Sequence, residues 1–211
     1  MGENILVCVG YYKNAEKLIK KGARLATALN GVCQVLTVNP MLDNNDFEKI
    51  TELETIEMVA SKYNVPFLFQ PLEGRKISDV IAEVVKSNQI NQVILGQPVQ
   101  SRWDMLVKGS LVSELFSRLE NVDVTIVEVH AKNVTAESEY EKGMPAYVVK
   151  EGRHYFLSLE NPTDYEMEGF FFQSTKTEFQ TGIFRTVNDR EAVLLKVSDG
   201  VVKWPSELQT S

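Results

Sequence analysis

The chain of 211 residues carries 22 Lys+Arg against 29 Asp+Glu, for a formal net charge of −7, and is 44% apolar and 24% charged. This is the composition of an ordinary globular protein, long enough to bury a real core without disulfide or metal staples. An acidic chain lacks the clustered cations whose counterion release drives nucleic-acid affinity, so nucleic acid is excluded as the first expectation.

Residues Asn4 to Gly10 form a continuous apolar run, as expected of a strand buried on both faces. The period then changes: Ala15, Leu18, Ile19, Gly22, Ala23 and Ala26 share one helical face, closed by Asn30-Gly31. Val32 to Val38 reads as a second strand. Phe47, Ile50, Leu53, Ile56, Ala60 and Tyr63 mark a second helix, Val65 to Gln70 a third strand, and Ile77, Val80, Ile81, Val84 and Val85 a third helix. Gln92 to Gly96 gives a fourth strand, Leu111 to Leu119 a fourth helix and Val122 to Val129 a fifth strand. Strands alternating with helices in units of ~30 residues predict a Rossmann-like α/β domain with a five-stranded parallel sheet over residues 1–130.

The polar segment Ala131 to Gly143 reads as a linker. Beyond it, short β-type runs at Ala146–Val149, Tyr155–Leu159, Gly169–Phe172, Thr181–Arg185, Ala192–Val197 and Val201–Trp204 are separated by turn pairs such as Glu151-Gly152 and Asp199-Gly200. They predict a small antiparallel all-β module over 144–211, with Phe170, Phe172, Phe184 and Trp204 among its buried aromatics. So short a module is expected to lean on the first domain or on a second chain.

In an open parallel sheet, ligands bind beyond the carboxyl ends of the strands, where the strand order reverses. The loop after the fourth strand runs from Gly96 through Gln97, Arg102 and Lys108 to Gly109 and Ser110, and Ser110 is expected to open a helix. Glycines at both ends let backbone approach a phosphate, the helix start and the Ser110 hydroxyl add donors, and Arg102 and Lys108 bring positive charge. Trp103 in the same loop reads as a packing or contact residue. Cys8 and Cys33 read as buried thiols without CxxC spacing, and His130 and His154 as isolated histidines, so no zinc site is expected. No Walker A lysine, HExxH, Gly-x-Ser-x-Gly or GxGxxG motif is present, and no catalytic residue is predicted.

The chain from Asn4 to Val129, about 60% of its length, resembles the universal stress protein family. Gly96, Gly109 and Ser110 match G-x2-G-x9-G-[S/T], with Val99 at the middle glycine. The similarity is tighter to the universal-stress-like domain of the KdpD potassium-sensor kinases. It rests on Ile5-Leu6-Val7-Cys8-Val9, Ala23-Arg24-Leu25-Ala26, and Ser101-Arg102-Trp103 between Gly96 and Gly109-Ser110. The resemblance implies ATP or another adenine nucleotide as ligand, with the base between Gly10-Tyr11 and the end of strand two, where Val38 offers backbone bonds. It also implies a homodimer formed through the fifth strand. Cyclic di-AMP, bound by some KdpD domains through an aromatic-Thr-Ala segment, is disfavoured, because Val124-Thr125-Ile126-Val127 stands there. Gly10-Tyr11-Tyr12 replaces the Asp that commonly ends strand one. The function expected is a cytoplasmic, non-catalytic nucleotide-binding module of stress response or signalling, with an unknown protein partner for the β module. The alternatives are a ligand-free interaction module and a slow nucleotide hydrolase.

Overall fold

The computed structural model describes residues 2–39, 45–98, 111–129, 138–177, 179–188 and 191–205. They fall into two compact units, Met1–Leu42 with Thr51–Val134, and Asp43–Ile50 with Thr135–Ser211.

The first unit alternates β1 (Asn4–Cys8), α1 (Ala15–Ala28), β2 (Val32–Asn39), α2 (Phe47–Lys62, of which the first turn to Ile50 groups with the second unit), β3 (Phe67–Pro71), α3 (Ile77–Ser87), β4 (Gln92–Pro98), α4 (Leu111–Phe116) and β5 (Asp123–Val129). All strand pairs are parallel, in the order β3-β2-β1-β4-β5. Side chains alternate across the sheet, so β1 feeds two cores. Ile5, Val7 and Val9 pack with Leu18, Ile19, Ile56 and Ala60 on one face. Leu6, with Leu36 and Leu95 of the adjacent strands, packs with Ile81, Val84, Val85, Val112 and Leu115 on the other. A strand covered on both faces has no solvent side, and this explains its unbroken apolar sequence. Helix α1 lies close to the sheet at Gly22, where an added Cβ would stand 2.3 Å from Val7 Cγ2 and 3.0 Å from Cys33 Sγ.

The second unit is all antiparallel: β6 (Met144–Glu151), β7 (His154–Ser158), β8 (Met167–Gln173), β9 (Gly182–Asn188), β10 (Glu191–Ser198) and β11 (Val201–Lys203). The strands close into a barrel in the order β10-β11-β7-β6-β8-β9. Asp199 and Gly200, both at positive φ (52° and 76°), make the tight β10–β11 turn. Phe171, Phe184, Val148, Leu195 and Val197 fill the interior. Phe172 faces outward yet is fully buried, because Phe47 packs on it with ring centroids 5.2 Å apart. Phe170 is only partly buried, contrary to the sequence expectation: it shares the outer parity of Phe172 without such a cover.

The end of the expected linker is integrated here as well. The ring of Tyr140 meets Phe47 at 4.9 Å, Tyr140 bridges to Ser174, and the Glu141 amide donates to the Gln173 carbonyl. Residues 131–137 lie outside the described residues. No helix among the described residues is long and apolar enough to cross a membrane.

Candidate functional site

The strand order places β1 between β2 and β4, so the chain crosses to opposite sides of β1, and the crevice opens at the carboxyl ends of β1 and β4. Register aligns Cys8 with both Leu36 and Leu95. The Val9 amide still donates to the Leu36 carbonyl at 2.9 Å, and the buried Thr37 hydroxyl donates to the Val9 carbonyl at 3.0 Å. These two bonds pin the end of β1 against β2. Strand β2 continues to Asn39, and backbone groups alternate in direction along a strand. Leu36 points toward β1; therefore Val38 does too, beyond the point where β1 runs alongside.

Gly10 is exposed, and an added Cβ there would meet nothing within 4 Å. Tyr11 follows in extended conformation (φ −150°, ψ 123°) and enters a short 3-10 turn, Tyr12–Asn14, that leads into α1. The Tyr11 and Tyr12 rings meet edge-to-face at 5.2 Å. The Lys13 ammonium lies 6.0 and 5.8 Å from the two ring centres. Its hydrogen bond with Tyr11, with the tyrosine charges adding, holds the amine above its usual range. Lys13, exposed beside the two rings, is a cation that the motif reading missed; its place directly after the tyrosine pair was the available signal.

Gly96 lies in β4 opposite Val127. A Cβ there would stand 3.0 Å from Val129 Cγ1 and 3.1 Å from Leu18 Cδ1, so packing alone accounts for this glycine. Gln97 is the next residue of β4, paired with Glu128. Arg102, Lys108, Gly109 and Ser110, with Val99 and Trp103, lie outside the described residues. The chain resumes at α4, which is clamped to α3. Ser78 Oγ donates to Glu114 Oε2 at 2.5 Å, Lys76 Nζ donates to Glu114 Oε1 at 3.1 Å, and Arg118 Nε donates to Asp79 Oδ1 at 2.6 Å. The Ser78 and Lys76 hydrogen bonds hold the Glu114 carboxyl below its usual range, and Arg118 does the same for Asp79. Burial pushes the thiol of Cys8, at the end of β1, up to about 12 and that of Cys33 up to about 11. Among the described residues no group of His, Cys, Asp and Glu is arranged to hold a metal ion.

No protein-family model matches the chain. A putative sensor protein KdpD from Synechocystis sp. is 35% identical over 127 residues, 59% of this chain and 33% of that protein. The first unit is a universal-stress-like domain related to KdpD. The chain spans about a third of the length of that relative. Similarity to solved structures is lower. A universal stress protein from Archaeoglobus fulgidus is 18% identical, with 61% of this chain and 100% of that one covered and a TM-score of 0.45. The universal stress protein from Archaeoglobus fulgidus in complex with dAMP is 17% identical (60% and 98% covered, TM-score 0.43). A universal stress protein in complex with cAMP is 16% identical (61% and 98% covered, TM-score 0.44).

Proposed function

We propose that the universal-stress-like unit binds an adenine nucleotide across the β1/β4 crevice and acts as a non-catalytic signalling module. The observation that carries this reading is the early end of β1: it leaves open space at Gly10 and turns the Val38 backbone toward the gap. In this reading Val38 bonds the base edge, Tyr11 or Tyr12 covers the base, and Lys13 faces the phosphates. Gln97 in β4, and Arg102, Lys108, Gly109 and Ser110 in the sequence that follows it, are the residues this reading assigns to the phosphates. Two of the solved relatives are described with dAMP or cAMP, ligands of the class proposed. The β5 strand ends the sheet with Ile126 37% exposed, an edge suited to pairing with a second copy. Localisation in the cytoplasm accords with the nucleotide as a soluble ligand.

Thermal melts with millimolar ATP, ADP, AMP or cyclic di-AMP test the reading. A ligand at 100 times its Kd stabilises the folded state by about 2.7 kcal/mol. The expected result is a raised melting temperature that Gly109→Val removes; no rise with any of the four, at constant salt and magnesium, would sink it. A second reading, an interaction module without ligand, is favoured by Gly96, whose glycine is explained by packing against Leu18 and Val129.

A further inference from the structure

The barrel offers a surface of a different kind. Its interior positions are taken by Phe184 on β9, Leu195 and Val197 on β10, and Val202 on β11, so the alternate residues of these strands face outward. On that outer face Lys196 and Lys203 stand directly opposite each other on adjacent antiparallel strands, and both are exposed. Like charges in that position are destabilising. Neither lysine has an ion-pair partner among the described residues. Arg185 is two residues along the same face, paired with Leu194. Around these cations lie Leu194, Val187 and Val201, which are 51%, 56% and 43% exposed. Among the described outward side chains of β9, β10 and β11 none is acidic. The rest of the barrel differs: Glu151 opposes His154 across β6 and β7, and Glu168 on β8 accepts from the Tyr165 hydroxyl.

We propose that the outer face of β9–β11 docks an acidic amphipathic segment of a partner protein, its carboxylates on Lys196 and Lys203 and its apolar side chains on Leu194, Val187 and Val201. Closure of the barrel leaves no strand edge to extend, so recognition is by side chains, in the manner of an amphipathic helix laid on a face. A carboxylate bridging Lys196 and Lys203 would relieve a repulsion the free protein carries. A nucleic acid fits less well, since half of the face would set apolar groups against phosphates.

The test uses the whole chain and a fluorescently labelled synthetic helix of roughly 18 residues with Glu on one face and Leu on the other. The expected result is saturable binding, weakened at least about tenfold in Lys196→Glu/Lys203→Glu and weakened further by salt, with a Lys-for-Glu peptide inactive. Circular dichroism melts of the double variant establish that it is folded. Three outcomes overturn the proposal: no saturable binding up to about 1 mM peptide, equal binding by the charge-reversed variant, or tighter binding to phosphatidylserine vesicles or oligo-dT. Concentration-dependent self-association abolished by the double variant would instead assign the face to a second copy.

Discussion

The two units solve the same problem in opposite ways, and the difference decides what each can bind. The parallel sheet of the first unit leaves its strands ending at unequal lengths, β1 at Cys8 and β2 at Asn39, so main-chain groups at the carboxyl ends remain without a neighbouring strand. The barrel closes on itself and fills its interior with Phe171 and Phe184, so only outward side chains remain for recognition. An open sheet can hold a small molecule by backbone bonds at its crevice. A closed, filled barrel can meet a partner only across its face.

That contrast is broken most directly in the barrel interior. Phe171 is fully buried, and Phe171→Ala is expected to remove about 3–5 kcal/mol from the second unit. Denaturant unfolding followed by Trp204 fluorescence, in a Trp103→Phe background, reads this loss. A filled interior predicts that the cavity is not tolerated; a loss below about 1 kcal/mol would mean the barrel is loosely packed.

The corresponding test in the first unit is Gly22→Ala. Helix propensity alone favours Ala over Gly by about 1 kcal/mol. The Cβ would stand 2.3 Å from Val7 Cγ2, and overpacking of that kind costs about 1–3 kcal/mol. A net fall in the midpoint of urea unfolding is expected, and a rise would show that α1 does not lie so close to the sheet.

Much of this was legible in sequence. The run Asn4 to Gly10 announced a strand because both of its faces are covered, and Ala15 to Ala26 announced a helix because only one is. Strand order within the barrel was not legible, since β11–β7 and β6–β8 pair residues that no turn joins. Phe47 read as the first apolar position of an amphipathic helix, whereas it groups with the second unit and covers Phe172. Phe170-Phe171-Phe172 gave no sign of which ring faced inward, because parity is set by the partners. At the crevice, periodicity places the strand ends, but it is the family resemblance that singles out Gly10 and Val38 there, while Lys13 acquires meaning only once the Tyr11 and Tyr12 rings are seen beside it.

A smaller effect sharpens how α4 is held to α3. Glu114 and Asp79 have carboxyls held below their ordinary 4.5 and 3.8 in the folded state. A carboxylate with a depressed folded value contributes stability that is complete above its unfolded value and is lost as pH falls through the folded one. Stability should therefore decline below about pH 4.5, and Glu114→Gln should flatten the upper part of that decline. An unchanged pH profile in the variant would mean that the Ser78 and Lys76 bonds to Glu114 add nothing.

The central claim is that the crevice at the end of β1, and not the barrel, receives a nucleotide. Amide chemical-shift mapping of the whole 15N-labelled chain titrated with ATP and AMP tests it most directly. The account predicts saturating shifts at Gly10, Tyr11, Lys13, Val38 and Gln97 through Ser110, with β6–β11 unmoved. Shifts confined to the barrel, or none at millimolar nucleotide, would contradict it.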